Sequence, residues 1–143
     1  MKNKILLALV VIFTHFNVLA QTPTIAAANL KKQNERFELA SGEYNKLIQF
    51  SGAAMARQED GAAQQLALCY YEKGDNYILW AQSEIDNDAV RKEKIDSATM
   101  MFDKGIKVME THPLNHIGLA RVSAHKQDAG TFNTKLAYAQ ELI

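Results

Sequence analysis

Apolar residues spaced three and four positions apart recur along almost the whole chain. One such stripe is Ile95, Ala98, Phe102, Ile106 and Met109. This spacing places side chains on one side of an α-helix, whereas a half-buried β-strand needs strict alternation, which no segment sustains. The chain also has only 2 proline and 7 glycine residues, too few for the frequent turns of an all-β fold. The sequence therefore predicts an all-α protein.

Gly, Asp and Ser residues between the apolar stripes predict where the helices end. These breaks fall at Ser41-Gly42, Asp60-Gly61, Gly74-Asp75, Asn87-Asp88 and Asp128-Ala129-Gly130. The longest predicted helix runs from about Ala89 to Thr111, and Pro113 ends it because the residue before a proline disfavours helical geometry. The pattern gives roughly six or seven helices, and short connections make successive helices antiparallel neighbours. We expect stacked antiparallel hairpins or an irregular helical bundle.

The first 20 residues have the layout of a secretory signal peptide. Lys2 and Lys4 form a basic start, residues 5–13 are an unbroken apolar run, and Val18-Leu19-Ala20 supplies small residues before a cleavage site. These are the three parts of a signal peptide, and the apolar run is shorter than the roughly 20 residues of a membrane span. We predict cleavage near Ala20, export to the periplasm or the extracellular space, an extended leader over residues 21–28, and a single helical domain over residues 29–143 without a membrane span.

The charge balance excludes one class of function. The chain carries 16 basic and 16 acidic residues, and cleavage would remove two of the basic ones, Lys2 and Lys4, which leaves a net charge of −2. A nearly neutral chain lacks the basic surface that nucleic-acid binding requires. We therefore expect no nucleic-acid partner. Lys31, Lys32 and Arg36 are expected to form a solvated face and not an anion site.

The single cysteine, Cys69, cannot form a disulfide within the chain. An odd thiol in an oxidising compartment could pair between two chains. The alternative is a small buried side chain between Leu68 and Tyr70.

Two stretches resemble tetratricopeptide repeats. Ala63, Leu66, Ala67 and Tyr70, followed by Glu72-Lys73-Gly74-Asp75, resemble the first helix of such a repeat, and Ala98 and Phe102, with Gly105 and then Pro113, resemble the second. Gly42-Glu43-Tyr44 recurs as Gly74-Asp75-Asn76-Tyr77, and the separation of the two segments is close to the repeat length of about 34 residues. The resemblance implies a short stack of helical hairpins whose concave face binds a peptide or a partner protein.

No set of residues predicts catalysis or metal binding. His112 and His116 lie four residues apart, but Pro113 stands between them, and no cysteine or acidic cluster completes a tetrahedral site with His125. Ser123 and His125 are close in sequence without the strained turn of a nucleophile elbow. We therefore predict no catalytic residue, no cofactor and no metal site, and a protein that is not an enzyme.

Four aromatic residues, Tyr70, Tyr71, Tyr77 and Trp80, lie close together in the sequence. They could pack in the core, or they could offer large rigid anchors with polar tips to a partner. Tyr71 follows Tyr70 directly and should point to a different side of the helix. Tyr71, Tyr77 and Trp80 are the candidate partner-binding residues.

Export, the helical build and the repeat-like stretches together favour a non-enzymatic module that mediates protein or peptide interaction in the periplasm or cell envelope. The alternative is a helical bundle that binds a small molecule or a metal through the aromatic residues or through His112 and His116.

Overall fold

The structure is a computed structural model that describes residues 24–143. Within that range it contains six α-helices and no strand, which confirms the all-α prediction. The predicted signal peptide lies outside the described residues. None of the described helices is both long and apolar enough to cross a membrane. The helices are α1 Ile25–Gln33, α2 Phe37–Ala56, α3 Ala62–Ser83, α4 Asp88–Val108, α5 Pro113–His125 and α6 Ala129–Glu141.

Short polar side chains define several helix starts. Thr24 Oγ1 accepts a hydrogen bond from the Ala27 amide at 3.1 Å before α1. Asn87 Oδ1 accepts from the Val90 amide at 3.1 Å before α4, and Asp128 Oδ1 accepts from the Thr131 amide at 3.0 Å before α6. Each bond satisfies an amide that has no partner within the first turn of a helix. The capping side chains of Asn87 and Asp128 therefore explain why helices begin after the predicted turns at these positions.

Three sequence-based boundaries are wrong. Ser41-Gly42 lies inside α2 and Gly74-Asp75 lies inside α3, so neither pair ends a helix. The predicted extended leader over residues 21–28 is wrong for residues 25–28, because α1 begins at Ile25. By contrast, Gly61 has φ 73° directly before α3, a conformation that glycine adopts without a Cβ penalty, and there the predicted break is correct.

The packing order gives two rows of helices. Every helix packs on the next one in the chain; in addition α1 contacts α3, and α3 contacts α5. Among the described residues, no Cα atom of α2 lies within 8 Å of α4, and none of α4 within 8 Å of α6. The odd-numbered helices thus lie side by side, whereas the even-numbered helices are separated by them.

Two apolar clusters hold the rows together. The larger one joins α3, α4 and α5 and consists of Ile78, Ala81, Ile95, Ala98, Phe102, Leu119 and Val122. The smaller one joins α1, α2 and α3 and consists of Ala28, Ala40, Tyr44, Leu47 and Cys69. Burial raises the pKa of the Cys69 thiol, and the side chain has no exposed surface. Of the two interpretations of Cys69, the structure confirms the buried side chain.

Phe102 sets the spacing of α3, α4 and α5. Its fully buried ring lies against the backbone of α3 at Gly74 and of α5 at Gly118. A methyl group added at either glycine would overlap the ring. The two glycines therefore let a large aromatic side chain of α4 lie directly against both neighbouring helices.

A second close approach joins α4 to α5. The Asn115 amide group lies against Gly105, where a Cβ would overlap it. Asn115 Nδ2 donates to the Ala67 carbonyl of α3 at 3.1 Å and to His112 Nδ1 at 3.2 Å. The two bonds of this buried amide nitrogen also fix the register of α5 on α3, because leaving its donors unpaired would cost about 1–3 kcal/mol.

The glycines of α2 and α5 should respond oppositely to alanine. Gly118→Ala should lower the free energy of unfolding by about 1–3 kcal/mol, because the new methyl group overlaps Phe102. Gly42→Ala should raise it by about 0.5–1 kcal/mol, because alanine is the better helix former and nothing lies within 4 Å of the added Cβ. Urea unfolding of both variants measures the difference. Two variants that shift stability in the same direction would contradict the packing at Phe102.

Candidate partner-binding face

The odd-numbered helices share one polar surface, which we name the α1–α3–α5 face. It is defined by Lys32 of α1, by Tyr71, Glu72, Asp75 and Gln82 of α3, and by Arg121 and His125 of α5. The four α3 residues fall on one side of the helix at 100° per residue. The contacts below show that this side turns toward α1 and α5.

Asp75 is the residue at which the three helices meet. Its Oδ2 accepts from Lys32 Nζ at 2.9 Å, and its Oδ1 accepts from Arg121 Nη1 at 2.5 Å. Burial by itself would raise the pKa of Asp75, but hydrogen bonds and charge attraction from these two cations hold it below its usual range. Asp75 is therefore a carboxylate that links the first, third and fifth helices.

Lys32 lies within this ion network and not on a solvated face. Its side chain is only 10% exposed, and its ammonium also donates to Glu72 Oε2 at 2.8 Å. Burial would lower its pKa, but the hydrogen bonds and charges of Glu72 and Asp75 outweigh that effect and raise it. The expectation of a solvated face is wrong for Lys32. Its neighbour Lys31 pairs with Glu43 of α2 at 2.6 Å.

Two residues of α5 extend the face toward one end of the molecule. Arg121 keeps 35% of its side chain exposed although it pairs with Asp75. One helical turn later, His125 Nε2 lies 3.3 Å from Gln82 Nε2. The remaining guanidinium N–H groups of Arg121 are held in a defined position by the ion pair, and are available to an acceptor outside the chain.

The three predicted partner-binding aromatics do not share one surface. Tyr71 lies beside the ion network, where burial raises the pKa of its hydroxyl, and its ring centroid is 6.0 Å from that of Phe102. Trp80 is nine residues further, about 180° around α3. The structure therefore places Tyr71 on the α1–α3–α5 face and Trp80 on the opposite side.

Tyr77 and Trp80 are engaged within the molecule. Their rings stack with centroids 6.4 Å apart, and Trp80 also stacks on Phe37 of α2 at 6.2 Å. The Lys94 ammonium of α4 lies 4.1 Å from the Trp80 ring, a cation–π contact. The aromatic stack fills the space between α2 and α4, both of which contact α3 but not each other, and little of it is free for a partner.

The three histidines of the described residues have separate environments. His112 is buried and accepts a hydrogen bond from Asn115. His116 Nε2 lies 2.8 Å from the Glu110 carbonyl oxygen. His125 is exposed at the end of α5. Between residues 24 and 143, no three His, Cys, Asp or Glu side chains stand close enough to hold a metal ion. Ser123, next but one to His125, donates its hydroxyl to the Leu119 carbonyl at 3.0 Å.

Sequence reasoning missed Lys32, Asp75 and Arg121 as one group. Glu72 and Asp75 are three residues apart and could have been recognised as one acidic patch, had the helix not been broken at residue 74 in the prediction. Their cationic partners lie 40 to 46 residues away, and no local pattern indicates those pairs.

Comparison of the chain with protein-family models, curated proteins and solved structures finds no match.

Neutralising Asp75 should destabilise the fold. Asp75→Asn should reduce the free energy of unfolding by about 1–3 kcal/mol, because it leaves two cations at a half-buried site without their shared counter-ion. Asp103→Asn, on the exposed side of α4, is the matched control and should change stability by less than about 0.5 kcal/mol. Equal effects in chemical denaturation would show that Asp75 does not join the helices.

His112 should make stability depend on pH. Burial lowers the pKa of His112 below its ordinary value of 6.5, and the neighbouring His116 lowers it further. Because the unfolded chain then binds the proton more readily, stability should fall as the pH drops below 6.5 and level off below the lowered native value. Thermal unfolding at several pH values should show a smaller fall for His112→Gln than for the unaltered protein; identical curves would contradict the assignment.

Proposed function

We propose that this protein is an exported, non-enzymatic helical module that binds a protein or peptide partner in the periplasm or cell envelope. The docking surface is the α1–α3–α5 face. One observation carries the proposal: α1, α3 and α5 contact one another in a row, while the even-numbered helices stay apart. In stacked helical repeats the concave side binds partners, and we infer that the row of touching helices forms that side here.

The resemblance to tetratricopeptide repeats supports the same proposal of partner binding. The two stretches that carry it lie on α3 and α4, which are consecutive helices packed against each other. Ala67 and Ala98, the small residues of these stretches, have no exposed surface. In such repeats the paired helices need neighbours to bury their apolar sides, and the concave side of the stack is left for a partner.

The chemistry of the face suits a polar partner segment. Its charges are fixed by one another, so a partner meets groups whose side-chain entropy is already lost, and this favours specific binding. Arg121 offers donors that Asp75 does not use, and Tyr71 supplies a half-buried aromatic ring beside them. Residues 1–20 support the cellular location through their signal-peptide pattern.

The alternative of a metal-binding bundle has less support. The described residues hold no group of three metal-ligating side chains, and His112 and His116 each make a hydrogen bond to another group. Tyr77 and Trp80 are partly buried and already stack on each other, which leaves less of their rings for a small molecule.

Site-specific photocrosslinking tests the proposed docking surface. A photoreactive amino acid at Gln64, exposed on the same side of α3 as Asp75 by helical phase, should yield a crosslinked partner in cells that produce the protein. The same residue at Lys104, exposed on α4, is the control and should yield none. Crosslinking only from position 104, or from neither position, would contradict the proposal.

A further inference from the structure

A cleft of about 470 Å³ lies between the first half of α4 and the end of α5. Three permanent cations line it: Arg91 and Lys92 of α4, and Lys126 directly after α5. His125 also lines it, next to Lys126, and the buried side chain of Ile95 contributes apolar surface. The cleft therefore brings together three cations and an imidazole from α4 and from the end of α5.

Two acidic residues also line the cleft, so its three cations exceed its carboxylates by one charge. Asp88 pairs with Arg91, and Asp96 pairs with Lys126 at 3.0 Å; all four side chains are at least 46% exposed. Pairs this exposed contribute at most about 1 kcal/mol, so an incoming carboxylate can replace Asp88 or Asp96. Within residues 24–143, Lys92 takes part in no salt bridge of 4.0 Å or less.

His125 connects the cleft to the α1–α3–α5 face. It lines the cleft, and its Nε2 also lies 3.3 Å from Gln82 on that face. Burial lowers the pKa of His125, and the charges of Arg121 and Arg91 lower it further. A cation of the face and a cation of the cleft thus act on the same imidazole. The cleft therefore adjoins the α1–α3–α5 face at His125.

We propose that this cleft anchors an acidic segment of the partner, whose carboxylates pair with Lys92, Lys126 and Arg91. This inference rests on the proposed function and names the chemistry of the partner. The cations come from α4 and from the end of α5 and are half-exposed, so they do not enclose a single small anion away from water. Several carboxylates along an extended segment can each meet one cation.

Binding of a fluorescently labelled oligoglutamate peptide to the mature protein tests the inference. Anisotropy at low and physiological salt should show saturable binding that weakens as salt screens the charges. Lys92→Gln with Lys126→Gln should weaken binding about tenfold, which is about 1.4 kcal/mol. Lys104→Gln with Lys107→Gln is the control: it also removes two exposed lysines, one of them near a helix end, and should change binding less than about twofold.

Three results would overturn the inference: no saturable binding, equal weakening in both double variants, or competition by inorganic phosphate as strong as by unlabelled oligoglutamate. The last would indicate a small-anion site. Thermal unfolding of the two double variants shows whether each of them is folded. Loss of peptide binding in the cleft and loss of partner binding to the α1–α3–α5 face can be distinguished. Crosslinking from position 64 tests the second and does not depend on Lys92 or Lys126.

Discussion

The contact on which the rest of the structure depends is the insertion of Phe102 between Gly74 and Gly118. A large ring that touches two helix backbones directly fixes the distance between α3 and α5 through a residue of α4. Side chains larger than glycine at either position would move the helices apart. Because α3 and α5 are held side by side in this way, Arg121 reaches Asp75.

The ion network is a consequence of that packing and extends it to α1. Asp75 can accept from Lys32 and Arg121 together only if α1 and α5 both lie beside α3. A partly buried charge is costly unless it is paired, and a misplaced helix would leave Lys32, Glu72 or Arg121 without a counter-ion. The network thus disfavours other arrangements of the same helices, and it gives the α1–α3–α5 face a fixed pattern of charge.

The helices themselves were predictable, because apolar spacing and capping residues act over a few positions. Asp60-Gly61 and Asn87-Asp88 mark true ends, where glycine adopts a positive φ or asparagine caps an amide. Ser41-Gly42 and Gly74-Asp75 have similar composition, but both lie inside helices, and Gly74 is there to admit Phe102. A glycine required by packing looks like a glycine required by a turn until its distant neighbour is known. For the same reason the burial of Lys32 could not be predicted from its polar surroundings.

Nuclear Overhauser contacts of the Phe102 ring test this account most directly in the processed protein. If Phe102 lies between the two helices, cross-peaks connect its ring protons to the α-protons of both Gly74 and Gly118. Cross-peaks to only one of the two glycines, or to neither, would mean that α3, α4 and α5 do not meet at this residue, and the shared face of the odd-numbered helices would lose its physical basis.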